Sequence, residues 1–181
     1  MNIAAREQIG MTIEVRNERE QDAAAIQQVH VAAFGGSAEA KLVRLISERK
    51  KALISLVAVS KDSVVGHILF SRVTIDNAPA GFNSVGLAPL AVSPKFQRRG
   101  IGSKLIREGL ERCNQASYDA VVVLGDPVYY SRFGFVLTVD FGLENEYGAY
   151  DEFMVLALRD RALEAVSGVV KYLPEFREAE C

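Results

Sequence analysis

Along this chain the spacing of apolar positions switches between two periods. Ile13 and Val15 alternate with polar neighbours over Met11–Arg16, the period of a strand with one covered face. From Glu20 to Phe34 the period lengthens. Ile26, Val29 and Ala33 fall at helical spacing, and Gly35-Gly36-Ser37 then breaks the helix. Ser37 is placed to cap a second helix over Ala38–Lys50, with Leu42, Leu45 and Ile46 on one face. Leu53–Val59 and Val64–Ile75 are apolar runs parted by the polar turn Lys61-Asp62-Ser63, which is hairpin spacing. A loop with Pro79 and Gly81 leads to a further strand, Val85–Val92. Lys104–Asn114 is amphipathic and reads as helix. Ala120–Leu124 (A-V-V-V-L) is apolar throughout, as a central strand covered on both faces would be. Pro127 and Gly134 bracket a very short helix, and Val136–Asp140 and Phe153–Leu158 complete the strands. Gly142–Asp151 reads as a polar loop, and Ala162–Phe176 as a less regular tail packing across an edge. The pattern predicts an α/β (α+β) fold: a central mixed, mostly antiparallel sheet of about seven strands, flanked by about four helices. With no linker or repeat, one domain is expected over 11–160, with 161–181 as an extension on it.

Composition narrows the function classes. At 181 residues there is ample chain for a buried core. A net charge of −2 excludes nucleic-acid binding by bulk charge, so the basic cluster at Arg98-Arg99 needs a local explanation. The two cysteines, Cys113 and Cys181, have no metal-ligand or redox spacing, and no His, Cys or carboxylate cluster implies a metal. No apolar run is long enough to span a bilayer, and the first ten residues lack a signal-peptide core, so a cytoplasmic location is expected.

The chemistry converges on Leu90-Ala91-Val92-Ser93-Pro94-Lys95-Phe96-Gln97-Arg98-Arg99-Gly100-Ile101-Gly102-Ser103. A strand end runs through a proline turn and a basic, glycine-bearing loop into a helix start. That arrangement presents backbone N–H groups at the positive end of a helix dipole, an anion site. Gly100 and Gly102 remove Cβ atoms that would hold a phosphate away. The mononucleotide P-loop is excluded because Gly102 is followed by Ser103-Lys104-Leu105, and the dinucleotide fingerprint because Leu105 stands where its third glycine belongs.

What remains, Gln97-Arg98-Arg99-Gly100-Ile101-Gly102, matches [Q/R]-x-x-G-x-[G/A], and on it the chain resembles the GNAT N-acetyltransferases. The strand ending Leu90-Ala91-Val92 and the run Tyr130-Ser131-Arg132-Phe133-Gly134-Phe135, similar to the family's Y-x-x-x-G-F, fit in order. Within the family, the whole Leu124–Phe135 run resembles an uncharacterised bacterial branch. One departure is Gly125-Asp126-Pro127, where many members carry an asparagine and alanine in a longer segment.

The resemblance implies an acyl-CoA-dependent N-acyltransferase, with acetyl-CoA as donor and no metal. The cofactor would lie where the strand ending Val92 splays from that ending Leu124. It would be held by Leu90, Ala91, Val92, Gln97, Arg98, Arg99, Gly100, Ile101, Gly102 and Ser103. The backbone N–H of Leu90 would meet the oxyanion, and Tyr130 would face the departing thiolate, with adjacent Tyr129 turned roughly 100° away. Members often carry a glutamate on the strand that here reads Asn83–Val92. None is present, which leaves Glu39, Asp126 or a bound water as base. His30 and His67 are read as structural. The acceptor, a small-molecule or peptide amine, would meet Val31–Leu42 and Gly142–Asp151, where Glu39, Glu144, Glu146 and Asp151 suit a cation. A homodimer is common in the family; nucleic acid and membrane partners are not expected. The missing acid keeps a non-catalytic CoA-binding sensor open as an alternative.

Overall fold

The computed structural model describes residues 12–181, so Met11, where the first strand was expected to begin, lies outside it. Among the described residues there are nine strands and five α-helices. These are β1 (Glu14–Asn17), α1 (Ala23–Phe34), α2 (Ala38–Glu48), β2 (Ala52–Ser60), β3 (Ser63–Ile75), β4 (Ser84–Val92) and α3 (Ile101–Gln115), then β5 (Ala120–Leu124), α4 (Pro127–Tyr130), β6 (Val136–Leu137), β7 (Leu143–Asn145), β8 (Phe153–Ala157), β9 (Gly168–Lys171) and α5 (Pro174–Ala179). The sheet order is β1-β2-β3-β4-β5-β8-β6, and β9 joins the far end of β3 and pairs with β7.

The sheet has an apolar layer on each face, which is why its middle strands have so few polar positions. On one face Val57, Leu69, Val122 and Phe153 pack with Ile26, Leu42 and Ile46 of α1 and α2. On the other, Leu56, Ile68, Phe70 and Val121 pack with Ile101, Leu105 and Ile106 of α3. Helix α3 lies close to the sheet because Gly109 has no side chain. A Cβ there would come within 2.4 Å of the Phe70 ring. The β2–β3 hairpin turns on Lys61 and Asp62, both left-handed (φ 46° and 66°), the backbone of a two-residue loop whose twist matches the strands.

Strands β4 and β5 position the site. They are parallel neighbours only over Ser84–Gly86 against Ala120–Val122, and beyond Gly86 they diverge. Opposite β3 the register of β4 shifts between Leu87 and Leu90, a bulge at Ala88 and Pro89, whose peptide bond is cis.

Four expectations need correction. The Ser37 hydroxyl makes no cap; the first bond of α2 is Lys41 N–H to the Ser37 carbonyl. Strand Val136–Asp140 stops at Leu137 because Thr138–Phe141 coils into a 3-10 turn. The loop and the tail contain β7 and β9, each too short to show a period. They exist because they pair with each other in parallel, and β9 with Thr74 and Ile75. The tail also adds α5, which docks on α2. Buried Glu175 accepts from Arg49 (2.9 Å) and Lys51 (2.6 Å). These additions raise the count from about seven strands and four helices to nine and five.

Candidate active site

The proline turn Ser93–Gln97 swings the chain from the end of β4 to the start of α3. It is held by Gln97 Nε2 donating to the Val92 carbonyl (2.9 Å). Two left-handed residues, Arg98 (φ 58°) and Gly100 (φ 80°), complete the loop. Gly100 is the N-cap of α3, and no side chain caps the helix there, so the first-turn N–H groups of a fifteen-residue helix face an open concavity. That cradle, of about 490 Å³, is lined by Leu90, Val92, Gln97, Arg98, Gly100, Ile101, Gly102 and Ser103, together with Tyr129 and Arg132. A Cβ on Gly102 would point into it and meet the Tyr129 hydroxyl at 2.7 Å. Two residues chosen from the sequence lie off its wall. Ala91 is buried beneath, paired with His67, and the Arg99 guanidinium lies 5.8 Å over the Phe96 ring. Arg132 was missed. Its guanidinium lies 4.4 Å over the Tyr129 ring, and its Nε donates to the Tyr129 carbonyl (3.1 Å), bringing a second cation to the wall.

Leu90 also lines a second cavity of about 320 Å³. The register settles which way its backbone faces. Ser93 N–H donates to the carbonyl of Val65 directly opposite (2.9 Å), so Val65 and Ser93 are a hydrogen-bonded pair. Such pairs alternate along an antiparallel ladder. Ala91 with His67 is then the next bonded pair, and Leu90 with Ile68 is a non-bonded one. The N–H and C=O of Leu90 and Val92 therefore point away from β3, as the Gln97 bond to Val92 requires. On that side β5 has already diverged, so the Leu90 N–H faces the gap.

Tyr130 stands on the wall of this second cavity and Tyr129 on that of the cradle, so the adjacent tyrosines divide between the two. The Gly125-Asp126-Pro127 departure explains how. A Cβ on Gly125 would fall 2.4 Å from the Tyr130 ring, so glycine gives the ring its seat. Asp126 caps α4 by accepting from Val128 N–H (2.9 Å), and Pro127 fills the first turn. Tyr130 is nearly buried, its ring edge-on to Phe135 at 5.7 Å. Burial, and secondarily Tyr129, pushes its hydroxyl well above the ordinary tyrosine range, so it stays protonated.

Of the acids expected near the acceptor, only Glu39 lines this cavity. Glu146 instead accepts from Tyr172 N–H (2.8 Å) and pairs with Arg177 (2.9 Å). Asp126, committed as a cap, lies on neither wall. Tyr172 and Phe176 of the tail also line the cavity; they were missed because the tail gave no periodic signal.

The two histidines touch each other instead of the cavities. Glu18 accepts from the Ser55 hydroxyl, Ser55 Oγ lies 2.8 Å from His67 Nε2, and His67 Nδ1 lies 2.8 Å from His30 Nε2. With the Ser55 proton given to Glu18, His67 donates to Ser55 and His30 donates to His67, leaving His30 Nδ1 a buried acceptor without a partner among the described residues. Burial, and secondarily the neighbouring His67, pushes His30 down to about 3.

Comparison with known proteins bears on this geometry. Residues 19–135 match the acetyltransferase (GNAT) family model. The chain belongs to the GNAT family. It is 38% identical over 164 residues to the uncharacterized N-acetyltransferase YhbS of Escherichia coli K12, spanning 90% of this chain and 97% of that protein. The fold matches the crystal structure of E. coli YhbS in complex with CoA (TM-score 0.86, 37% identity, 92% and 93% of the two chains). It also matches a Brucella melitensis GNAT acetyltransferase in complex with acetyl-CoA (TM-score 0.76, 38% identity, 92% and 99%). Among the described residues no helix is long and apolar enough to cross a membrane.

Proposed function

We propose that this GNAT protein is an acetyl-CoA-dependent N-acetyltransferase that moves an acetyl group to a primary amine by direct transfer in a ternary complex. The observation that carries the reading is the place of Leu90. It is the residue shared by the phosphate cradle and the apolar cavity, and its N–H faces the gap between β4 and β5.

The cradle suits the anionic end of CoA. The uncapped N–H groups of α3 and the cations Arg98 and Arg132 face it, and Gly102 keeps its floor clear. The thioester end then falls beside Leu90, whose N–H is a preformed donor for the charge that develops on the acyl oxygen. Tyr130, kept neutral by burial, donates a hydrogen bond to the departing sulfur rather than transferring its proton outright. An alkylamine of pKa about 10.4 is neutral in only about 0.04% of molecules at pH 7. Proton removal is thus a real part of the barrier, and Glu39 is the carboxylate on the cavity wall.

The test is release of free thiol from acetyl-CoA with a panel of amines, and the same assay on Tyr130→Phe. Turnover should fall about tenfold or more in the variant, with CoA affinity within twofold of wild type. Unchanged turnover would remove Tyr130 from the chemistry. Saturable CoA binding with no amine-dependent thiol release would favour a CoA-binding sensor.

A further inference from the structure

The cavity beyond Leu90 has walls of an unusually uniform kind. Phe34 at the end of α1, Leu42 of α2, Tyr147 after β7, Tyr172 after β9 and Phe176 of α5 converge on it. Among the described residues Glu39 is the sole charged side chain on this wall, which Cys181 also lines. It is half-buried and has no hydrogen bond or ion pair among the described residues, whereas nearby Glu146 and Glu175 are both taken up by basic side chains. A carboxylate partly withdrawn from water beside apolar walls is poorly solvated until a cation meets it. Tyr172 lines the same wall with its ring; it is nine-tenths buried, and its hydroxyl is closed off from solvent.

We propose that this cavity takes a primary amine carried on a compact apolar body, such as an arylalkyl or short alkyl group, with Glu39 as the anchor of its ammonium. The proposal rests on the N-acetyltransferase reading above and names its acceptor class. Continuity through Leu90 puts the amine end beside the acyl donor. At about 320 Å³ the space is at the small end for a ligand site, and the acyl group shares it, so the body is no larger than a phenethyl or hexyl chain. Beyond Glu39 the polar side-chain groups on the wall are the hydroxyls of Tyr130 and Tyr147 and the thiol of Cys181, too few for a polyhydroxylated or polycationic amine, which would bury donors unpaired. An apolar body fills the same walls without that cost.

The experiment compares kcat/KM at saturating acetyl-CoA, by thiol release from the full chain, for phenethylamine and hexylamine against ethanolamine, glucosamine and spermidine. The apolar amines should be favoured at least tenfold, in line with what a few buried methylenes contribute to discrimination. Glu39→Gln, nearly isosteric and at a partly exposed position, should raise the phenethylamine KM about tenfold. It should leave the KM for aniline, an amine uncharged at neutral pH, within twofold, and the far-UV spectrum unchanged. Turnover that is equal or better with the hydrophilic amines overturns the acceptor class and leaves the enzyme reading intact. An unchanged phenethylamine KM in Glu39→Gln overturns the anchor. If no amine releases thiol, calorimetric binding of phenethylamine to the CoA-loaded protein decides. Binding there keeps the site and removes the enzyme reading, and its absence removes both.

Discussion

A buried histidine with a depressed pKa ties stability to pH, and here the size of the effect can be worked out. His30 has no solvent exposure; it donates to His67 and stacks on Phe34. Charging it would bury a cation whose outward nitrogen, Nδ1, has no acceptor to meet among the described residues. Its folded pKa is about 3, against an ordinary 6.5. Because the folded value is the lower, the unfolded chain takes up the proton first. Folding is therefore undiminished by this group above about pH 6.5 and loses stability as pH falls from there toward 3. At pH 5 the unfolded chain is favoured by RT ln(1 + 10^1.5), about 2 kcal/mol, while the folded protein binds almost no proton at this site. The comparison to make is urea unfolding at pH 7 and pH 5 for wild type and His30→Gln, followed by far-UV circular dichroism because the chain has no tryptophan. Glutamine keeps a donor toward His67 and cannot titrate, and carboxylates such as Glu18 contribute alike to both proteins. Wild type should lose about 2 kcal/mol more than the variant between the two pH values. Equal losses in the two proteins would refute the assignment of a neutral, buried His30.

Other perturbations test separate contacts. Gly109→Ala drives a methyl group into the Phe70 ring and should cost about 1–3 kcal/mol in chemical unfolding; a change under 0.5 kcal/mol would mean that α3 can lift off the sheet freely. Tyr172→Phe removes a buried hydroxyl that has no partner among the described residues and should leave stability unchanged or raise it by up to about 1 kcal/mol, whereas a marked loss would reveal a bond to that hydroxyl. Gly102→Leu places a side chain across the cradle and should weaken CoA binding about tenfold or more in calorimetry, with the melting temperature of the free protein little changed. CoA affinity equal to wild type would move the phosphates elsewhere.

The order of the main elements and the two-sided burial of Ala120–Val123 were legible in the chain, because each depends on local spacing, although Leu124 at the strand's end is exposed. Helical and strand periods are written in neighbouring residues, and so is a glycine loop that opens a helix. The direction of the Leu90 N–H was not legible. It follows from counting hydrogen-bonded pairs back from Ser93 and from the divergence of β4 and β5, both properties of strand pairing. Nor could spacing show that Asp126 is spent as a cap, that Glu146 holds the tail, or that Glu39 alone of the suspected acids reaches the cavity. A carboxylate reads the same in sequence whether it is paired or free. The largest gap was the tail: Gly168–Lys171 and Pro174–Ala179 are too short to carry a period, and they are ordered by β3, β7 and α2, all distant in sequence. The local code therefore determined the strand–turn–helix that forms the cradle. The second cavity was decided only when the tail closed over the end of β4, because its wall is assembled from segments that no window of neighbouring residues contains.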